Sequence, residues 1–411
     1  MQEPELARFD VVIVGGGLVG CSLAIALSGS GWSIGLIEQH SPELAPPGFD
    51  DRNLALSRAS LLALQRLQVL PLLDTPPESI NAIHVSRAGE PGNVHLSAAE
   101  HPVDRFGGVV VARELGHALR RRVQQCTDVA VWSPAKVCSA SAGMEDVRLQ
   151  VQRPQGAFTV EARLLLAADG SDSPLRQAMG IDETVHDYAQ HLFVSVLQAS
   201  RAHQQCAWER FTEHGPVALL PMAHDRFGSV MAVASTDAEA VTALSDDAYL
   251  ALFQQRFGWR AGRFTRVGKR SAYAMRLRVA KQLVAPRFAL LGNAAQTLHP
   301  IGAQGFNLGL RDALWMAQLL GEQHARQAQA DPGDAGMLQR YVAARVEDRQ
   351  RTLDFSDGMA RLFVRQAWPV RVLRAAGMML LEASPLAKRR LAEQAMGLAG
   401  RLPRILQERA Q

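Results

Sequence analysis

Gly15, Gly17 and Gly20 stand directly after the apolar run Phe9 to Val14, and a helix-length apolar segment and a second short run ending at Glu38 follow them. An unbroken apolar, β-branched run reads as a buried parallel strand. The order is therefore strand, glycine turn, helix, strand, the unit in which free amides at a helix start receive a pyrophosphate. Gly15 permits the tight turn, Gly17 lets backbone approach phosphate, and Gly20 lets the helix lie close on the strand. Glu38 is placed to accept hydrogen bonds from a ribose, and its charge would repel a 2′-phosphate there. Dinucleotide binding outweighs the alternative, a glycine-rich turn in some other α/β fold, because all four parts occur in order.

Two further stretches could join this site. LLLAA runs into Asp169-Gly170, so a carboxylate follows a buried strand directly and can take a cofactor hydroxyl; the other reading is a helix cap, alone or with Ser171 or Ser173. Residues 290 to 320, LLGNAAQTLHPIGAQGFNLGLRDALWMAQLL, pass from the apolar strand Phe288 to Leu291 through a Gly/Ala/Pro loop into a helix that buries a Leu/Ala/Trp face. That is the layout of an anion or cofactor cradle. Arg113 marks a strand-to-helix junction in VVVARELGHALRRRV, where it is either a solvated helix-start arginine or a phosphate ligand.

The elements that must position these residues fill a chain of 411 residues, long for one compact domain. At 47% hydrophobic and 20% charged, its composition is that of a folded globular protein and not of a disordered chain. Cys21, Cys126, Cys138 and Cys206 stand far apart without histidine partners, which indicates neither a metal site nor a disulfide framework and suggests a reducing cytoplasm. No secretory signal and no uninterrupted apolar run of membrane-spanning length is present. Residues 181 to 285 alternate in short runs joined by Gly, Pro and Asp turns, with one helix near 245 to 257. This predicts an inserted, mainly antiparallel sheet on the substrate side. GRFTRVGK at 262 to 269 has the wrong glycine spacing for a phosphate loop, and Arg270 stands where that motif needs Ser or Thr. A long helix is expected over about 336 to 363. Residues 361 to 411 carry ten Lys/Arg against three Glu, so the basic character of the chain belongs to its tail.

GGGLVG with Glu38, then ADGSDSPLR, then GNAAQTLHPIGAQGFNLGLRD resemble, in type and order, the FAD-dependent aromatic hydroxylases related to p-hydroxybenzoate hydroxylase. AWERFTEHGPVALLP, the asparagine of GNAAQTLHP and GFNLGLRD are similar to the ubiquinone-biosynthesis branch, in particular its 2-polyprenyl-6-methoxyphenol hydroxylases. The resemblance implies an α/β architecture. A Rossmann-like FAD-binding domain of the glutathione-reductase type would comprise 1–75, 105–180 and 286–360, with a substrate domain at 76–104 and 181–285 and a helical region at 361–411. It implies that Gly15, Gly17 and Gly20 meet the FAD pyrophosphate and Glu38 the adenosine ribose. Arg52 and Arg113 would lie near the flavin side, Asp169 and Gly170 in a motif shared by FAD and nicotinamide, and Asn293 by the ribityl-pyrophosphate. Pro300, Gly305, Phe306 and Asn307 would line the isoalloxazine, with the helix start near Gly305 aimed at its N1/O2 edge. Free amides there stabilise negative charge by about 1 kcal/mol or more. One departure stands out: relatives read Ala-Gly where this chain has Gly302-Ala303, so a positive φ at 303 would cost about 1 kcal/mol.

The implied reaction is reduction of FAD by NAD(P)H followed by transfer of one oxygen atom of O₂ to the ring of a polyprenylated phenol. The cofactor carries that chemistry, and the protein supplies position, charge and exclusion of water. The Pro300 carbonyl is the candidate to polarise the phenol; His299 beside it reads equally as a packed loop histidine. Alternatives are hydroxylation of another aromatic or ring position, or a flavin-binding scaffold within a biosynthetic assembly. A lipid-soluble substrate would bring the protein to the inner face of the membrane. Phe363, Trp368, Met378, Met379 and Leu380 would then meet lipid or a partner, and the tail arginines anionic head groups. The competing reading is a helical cap with a solvated basic face. No metal and no nucleic acid is expected.

Overall fold

The computed structural model describes residues 6–41, 53–299 and 301–407. The chain opens with β1 (Leu6–Val14), α1 (Leu18–Leu27) and β2 (Ile34–Ile37). Next come β3 (Asn53–Ser57), β4 (Ala82–Arg87), β5 (Gly107–Val111), α2 (Ala112–Gln124) and β6 (Gly156–Ala167). Then follow β7 (Glu183–Ala199), β8 (Cys206–Thr212), β9 (Gly215–Met222), β10 (Arg226–Ala234), α3 (Asp246–Phe257), β11 (Ser271–Ala280) and β12 (Phe288–Leu290). The C-terminal part is helical: α4 (Gln304–Arg326), α5 (Ala335–Val364), α6 (Trp368–Ala383) and α7 (Pro385–Ala395).

A parallel sheet runs β12-β6-β1-β2, with Val129–Trp132 beyond β2 and an antiparallel meander attached to β6. Val11, Val12 and Ile13 of β1 and Leu164, Leu165 and Leu166 of β6 are fully buried, because helices cover the sheet and leave no polar face for alternation. α1 packs between α4 and α2 and buries most of its length. Trp32 fastens this layer by donating its indole N–H to Leu320 O at 3.0 Å.

The second sheet is mixed but mainly antiparallel, in the order β11-β7-β10-β9-β8-β4 with short strands at both ends. β8 and β4 are the parallel pair within it. Its far face is closed by α3, which Ser245 caps by accepting from Ala248 N and which ends at Gly258 with φ +87°. Tyr249, Phe253 and Phe257 recur every four residues and fill one stripe of α3. They pack on Phe193, Leu219 and Phe264, each such burial contributing about 2 kcal/mol or more. The near face meets a three-stranded sheet containing β3 and β5, the loop at Ile301, and the C-terminal helices.

The tail is built into that near face. Phe363 stacks on Phe211 with ring centroids 3.7 Å apart. Arg374, buried, donates to Glu90 Oε2 at 2.8 Å and to Leu362 O at 2.7 Å, and Arg87 also holds Glu90. This corrects part of the sequence expectation: Phe363 and Met378 are core residues, while Trp368, Leu373 and Leu380 are more than two-thirds exposed. The chain breaks between α5 and α6 because Pro369 falls in the first turn of α6, where its missing N–H costs nothing.

Candidate active site

The C-terminal ends of β1, β2 and β6 bring Gly15, Glu38 and Asp169 to one edge, where open parallel sheets bind ligands. Gly15 has φ +104°, and a Cβ there would lie 2.4 Å from Ala168 O. At Gly20 a Cβ would fall 1.8 Å from Gly15 O, so only hydrogen lets α1 start this close to the turn. Around Gly17 a Cβ would meet nothing within 4 Å, which leaves that backbone open to an incoming anion at the start of α1. Glu38 is set in place by Gly16 N on Oε2 at 2.6 Å and by His40 on Oε1, through its N at 2.8 Å and its ring Nδ1 at 3.0 Å. Oε2, with one donor, keeps a lone pair for a hydroxyl.

Asp169 follows β6 and is not the cap of the next helix. Ser173 has that role, accepting from Arg176 N at 3.0 Å. Asp169 Oδ2 accepts from Leu175 N at 3.3 Å, while Oδ1 is buried without a partner among the described residues, and burial holds the carboxyl above its usual range. Gly170 has φ +92°. Arg176, fully buried, donates to Ala294 O at 2.9 Å and to Ser171 O at 3.1 Å, sewing this turn to the loop after β12.

That loop carries Asn293, exposed on a short turn, and is held from behind by Asp312 of α4. Asp312 Oδ2 accepts from Gly292 N at 3.0 Å and Gln296 Nε2 at 2.9 Å, and Oδ1 accepts from Arg345 Nε at 2.6 Å. Further along, Gly302 has φ 70°, so the left-handed position in this loop is a glycine; the displaced Gly-Ala order matches the backbone. α4 begins at Gln304, and Gly305 on its first turn has open space where a Cβ would be. Phe306 packs against the core, while Asn307 uses its amide to join α4 to β3, accepting from Ser57 N and donating to Ala55 O, both at 3.0 Å. Arg113 is exposed on the first turn of α2, and the neighbouring Gly116 approaches Leu18 at the start of α1. Arg52 and Pro300 lie outside the described residues.

His299, 1% exposed, stands at the meeting of loop and second sheet; its carbonyl accepts from Ser356 at 2.9 Å. Burial lowers its imidazole to about 4, so the ring is neutral at pH 7. It meets Tyr188 edge-on with centroids 5.0 Å apart, and Tyr188 donates to Asp357 at 2.8 Å. A cavity of about 380 Å³ opens here, lined by Tyr188, Phe211, Pro216, His299, Arg361 and Phe363 among others. It has the size and mixed apolar and polar lining of a small-molecule pocket.

Sequence reading missed three contributors. Tyr188 lies in a strand whose facing only the register reveals, and Asp312 sits within a helix as one charge among several. Asn53 heads β3 with both amide atoms buried and unpartnered among the described residues, against Gly228 of β10, where a Cβ would lie 2.4 Å from Nδ2. The unpartnered Asp169 and Asn53 groups and the open backbone at Gly17 and Gly305 fit an extended ligand with a pyrophosphate, hydroxyls and a polar ring edge.

The family model described as FAD binding domain matches residues 8–356. The ubiquinone hydroxylase UbiL of Rhodospirillum rubrum is 34% identical over 94% of this chain and 89% of that protein. The ubiquinone hydroxylase UbiM of Neisseria meningitidis is 30% identical over 89% of this chain and 79% of that protein. The 3-demethoxyubiquinol 3-hydroxylase of Escherichia coli is 28% identical over 95% and 98%. Among solved structures, p-nitrophenol 4-monooxygenase PnpA of Pseudomonas putida superposes with a TM-score of 0.79 at 18% identity, covering 97% of this chain and 99% of that one.

Proposed function

The chain belongs to the FAD-binding-domain family, and on that premise we propose that it hydroxylates the ring of a polyprenylated phenol in ubiquinone biosynthesis. It is a flavin-dependent aromatic monooxygenase that takes FAD as cofactor and NAD(P)H and O₂ as co-substrates. The observation that supports the site best is the alignment of Gly15, Glu38 and Asp169 on three adjacent parallel strand ends, with an unpartnered carboxylate oxygen among them.

This placement supports the following cofactor roles. Gly15, Gly17 and Gly20 admit the pyrophosphate to the start of α1, Glu38 takes the ribose, and Asp169 and Gly170 take hydroxyls farther along. Asn293 and Arg113 flank the phosphates, and Gly305 presents the start of α4 to the ring edge. Bound FAD supplies the electrons from NAD(P)H and the activated oxygen. The chain's own residues orient the phenol in the cavity beside His299 and keep bulk water from it. Since His299 is neutral at pH 7, it can accept or donate one hydrogen bond to the phenol without adding charge.

The cavity suits a ring head group and leaves a long prenyl chain outside. Arg361, Phe363 and Arg365 line it, and α6 begins three residues later with exposed Trp368, followed by Val372, Leu373, Met379 and Leu380. This face, with exposed Arg365, Arg389 and Arg390 nearby, docks on an anionic lipid surface from which the chain is drawn. Because Phe363 and Met378 belong to the core, the test uses surface changes: Trp368→Ser with Leu373→Ser and Leu380→Ser. Unaltered flotation of this variant with anionic liposomes overturns the docking face. No helix of the described residues is long and apolar enough to cross a membrane. The catalytic reading is tested on the FAD-loaded protein with NADH or NADPH and a short-chain prenylated methoxyphenol. A product heavier by one oxygen atom is expected, and FAD-loaded protein that yields none with any prenylated phenol sinks it.

A further inference from the structure

Glu209 lies at the middle of β8, opposite Val85 of β4 and Ala218 of β9, and has no hydrogen-bond or ion-pair partner among the described residues. Side chains alternate along a strand, so Ala207, Glu209 and Phe211 share one face while Trp208 takes the other. Ala207 and Phe211 belong to the apolar cluster that contains Ile301 and Phe363, whereas Trp208 packs with Phe257 of α3. Val85 and Leu220 on the neighbouring strands pack on the same cluster as Phe211. Alternation therefore sets Glu209 on the face of the second sheet that meets Ile301 and Phe363, the face whose Phe211 lines the cavity beside His299. The adjacent arginine, Arg210, alternates to the far side, where Gly258 is its neighbour. An acid with only a structural purpose would be paired or turned to solvent.

We propose that Glu209 is the catalytic base that removes the proton from the substrate's phenol oxygen. The assignment rests on the hydroxylase reading above. In the step, the phenol O–H bond breaks, its electron pair stays on oxygen, and the proton forms an O–H bond with a Glu209 carboxylate oxygen. The phenolate spreads its charge to the ortho and para carbons and makes them nucleophilic toward an electrophilic oxygen. Glu209 is half-buried, and desolvation by the surrounding apolar residues, with no partner to offset it, pushes its carboxyl up to about 8. That lies near operating pH and closer to a phenol, whose pKa is about 10 in tyrosine, which is what efficient proton transfer needs.

The test compares FAD-loaded wild type, Glu209→Gln and Glu209→Asp with a 2-methoxyphenol bearing one short prenyl chain. Two quantities are read: ionisation of the bound phenol by ultraviolet difference spectra across pH, without NAD(P)H, and kcat and KM in turnover. For Glu209→Gln the bound phenol stays protonated where wild type ionises it, kcat falls about 10²- to 10⁴-fold, and KM and flavin content hold within about threefold. Glu209→Asp recovers part of the ionisation and of kcat. An unchanged ionisation profile, a rise in KM alone, or loss of flavin from Glu209→Gln overturns the assignment. Wild type that neither binds nor ionises the phenol fails earlier, at the hydroxylase reading, and the base falls with it.

Discussion

Arg345→Met is the sharpest test of how the flavin-side loop is held. Arg345 is fully buried, with Nε on Asp312 Oδ1 at 2.6 Å and Nη1 on Asp348 Oδ2 at 2.7 Å. Arg311 also reaches Asp348, at 2.8 Å, so two cations balance two carboxylates inside the α4-α5 contact. Methionine is of similar length and leaves the carboxylates with one cation. Breaking a buried pair from one side costs about 3 to 5 kcal/mol because the remaining charge is stranded. Here Asp312 keeps two donors, Gly292 N and Gln296 Nε2, and Asp348 keeps Arg311, which places the loss at the lower end, about 3 kcal/mol. Urea unfolding of the FAD-loaded protein at constant m-value measures it. Asp312→Asn with Arg345→Met removes both charges, and the pair should recover at least about 1 kcal/mol relative to the sum of the single changes. Flavin retention should fall in Arg345→Met, since Asp312 positions Gly292 next to Asn293. A cost below about 1 kcal/mol, or strict additivity in the double variant, refutes the account.

Gly20→Ala should abolish flavin binding, because its methyl would sit 1.8 Å from Gly15 O and drive α1 off the glycine turn; normal flavin content in the purified variant contradicts this. Acid should destabilise the protein through His299: its folded pKa of about 4 lies below the unfolded 6.5, so the unfolded state binds the extra proton. Stability is lost as pH falls from about 6.5 to 4, by up to about 3 kcal/mol. Urea midpoints of His299→Phe that retain the full wild-type slope over that window exclude His299 as the source. Asp169→Ala should weaken FAD affinity at least about tenfold, the loss of one or two charge-assisted hydrogen bonds, measured by flavin fluorescence on titration of the stripped protein.

Legibility followed the range of the interactions. The β1-α1-β2 unit was readable because its turn, helix and buried strands are each specified within a few residues of sequence. The long helix expected at about 336 to 363 spans Ala335–Val364, and the helix expected near 245 to 257 spans Asp246–Phe257, each opened by a capping side chain. Phe363 and Met378 were misread because apolar residues among arginines look like a lipid-facing stripe. What turns them inward is the grip of Arg374 on Glu90, nearly three hundred residues earlier, which no local pattern encodes. Glu209 was hidden for the same reason. In WERFTEHG it looks like one charge of a solvated hairpin, and only its pairing with Val85 shows which face it takes.

The two sides of the cleft are built with different stiffness, and this bears on how a phenol is accepted. On the cofactor side, the loop after β12 is fixed by Asp312, by Arg176 through Ala294, by Ser356 through His299, and by Asn307 to β3. The anchors come from α4, α5 and the turn after β6, so displacing the loop would break several buried hydrogen bonds together. On the substrate side, β7 slips register against β11 between Asp187 and His191, and Ala189 takes φ 52° there. Such a bulge loosens the ladder and re-aims the side chain beside it, here Tyr188, which borders the cavity and faces His299. Geometry that oxygen transfer requires is thus carried by the rigid side, while the bulge lies in the strand that borders the cavity.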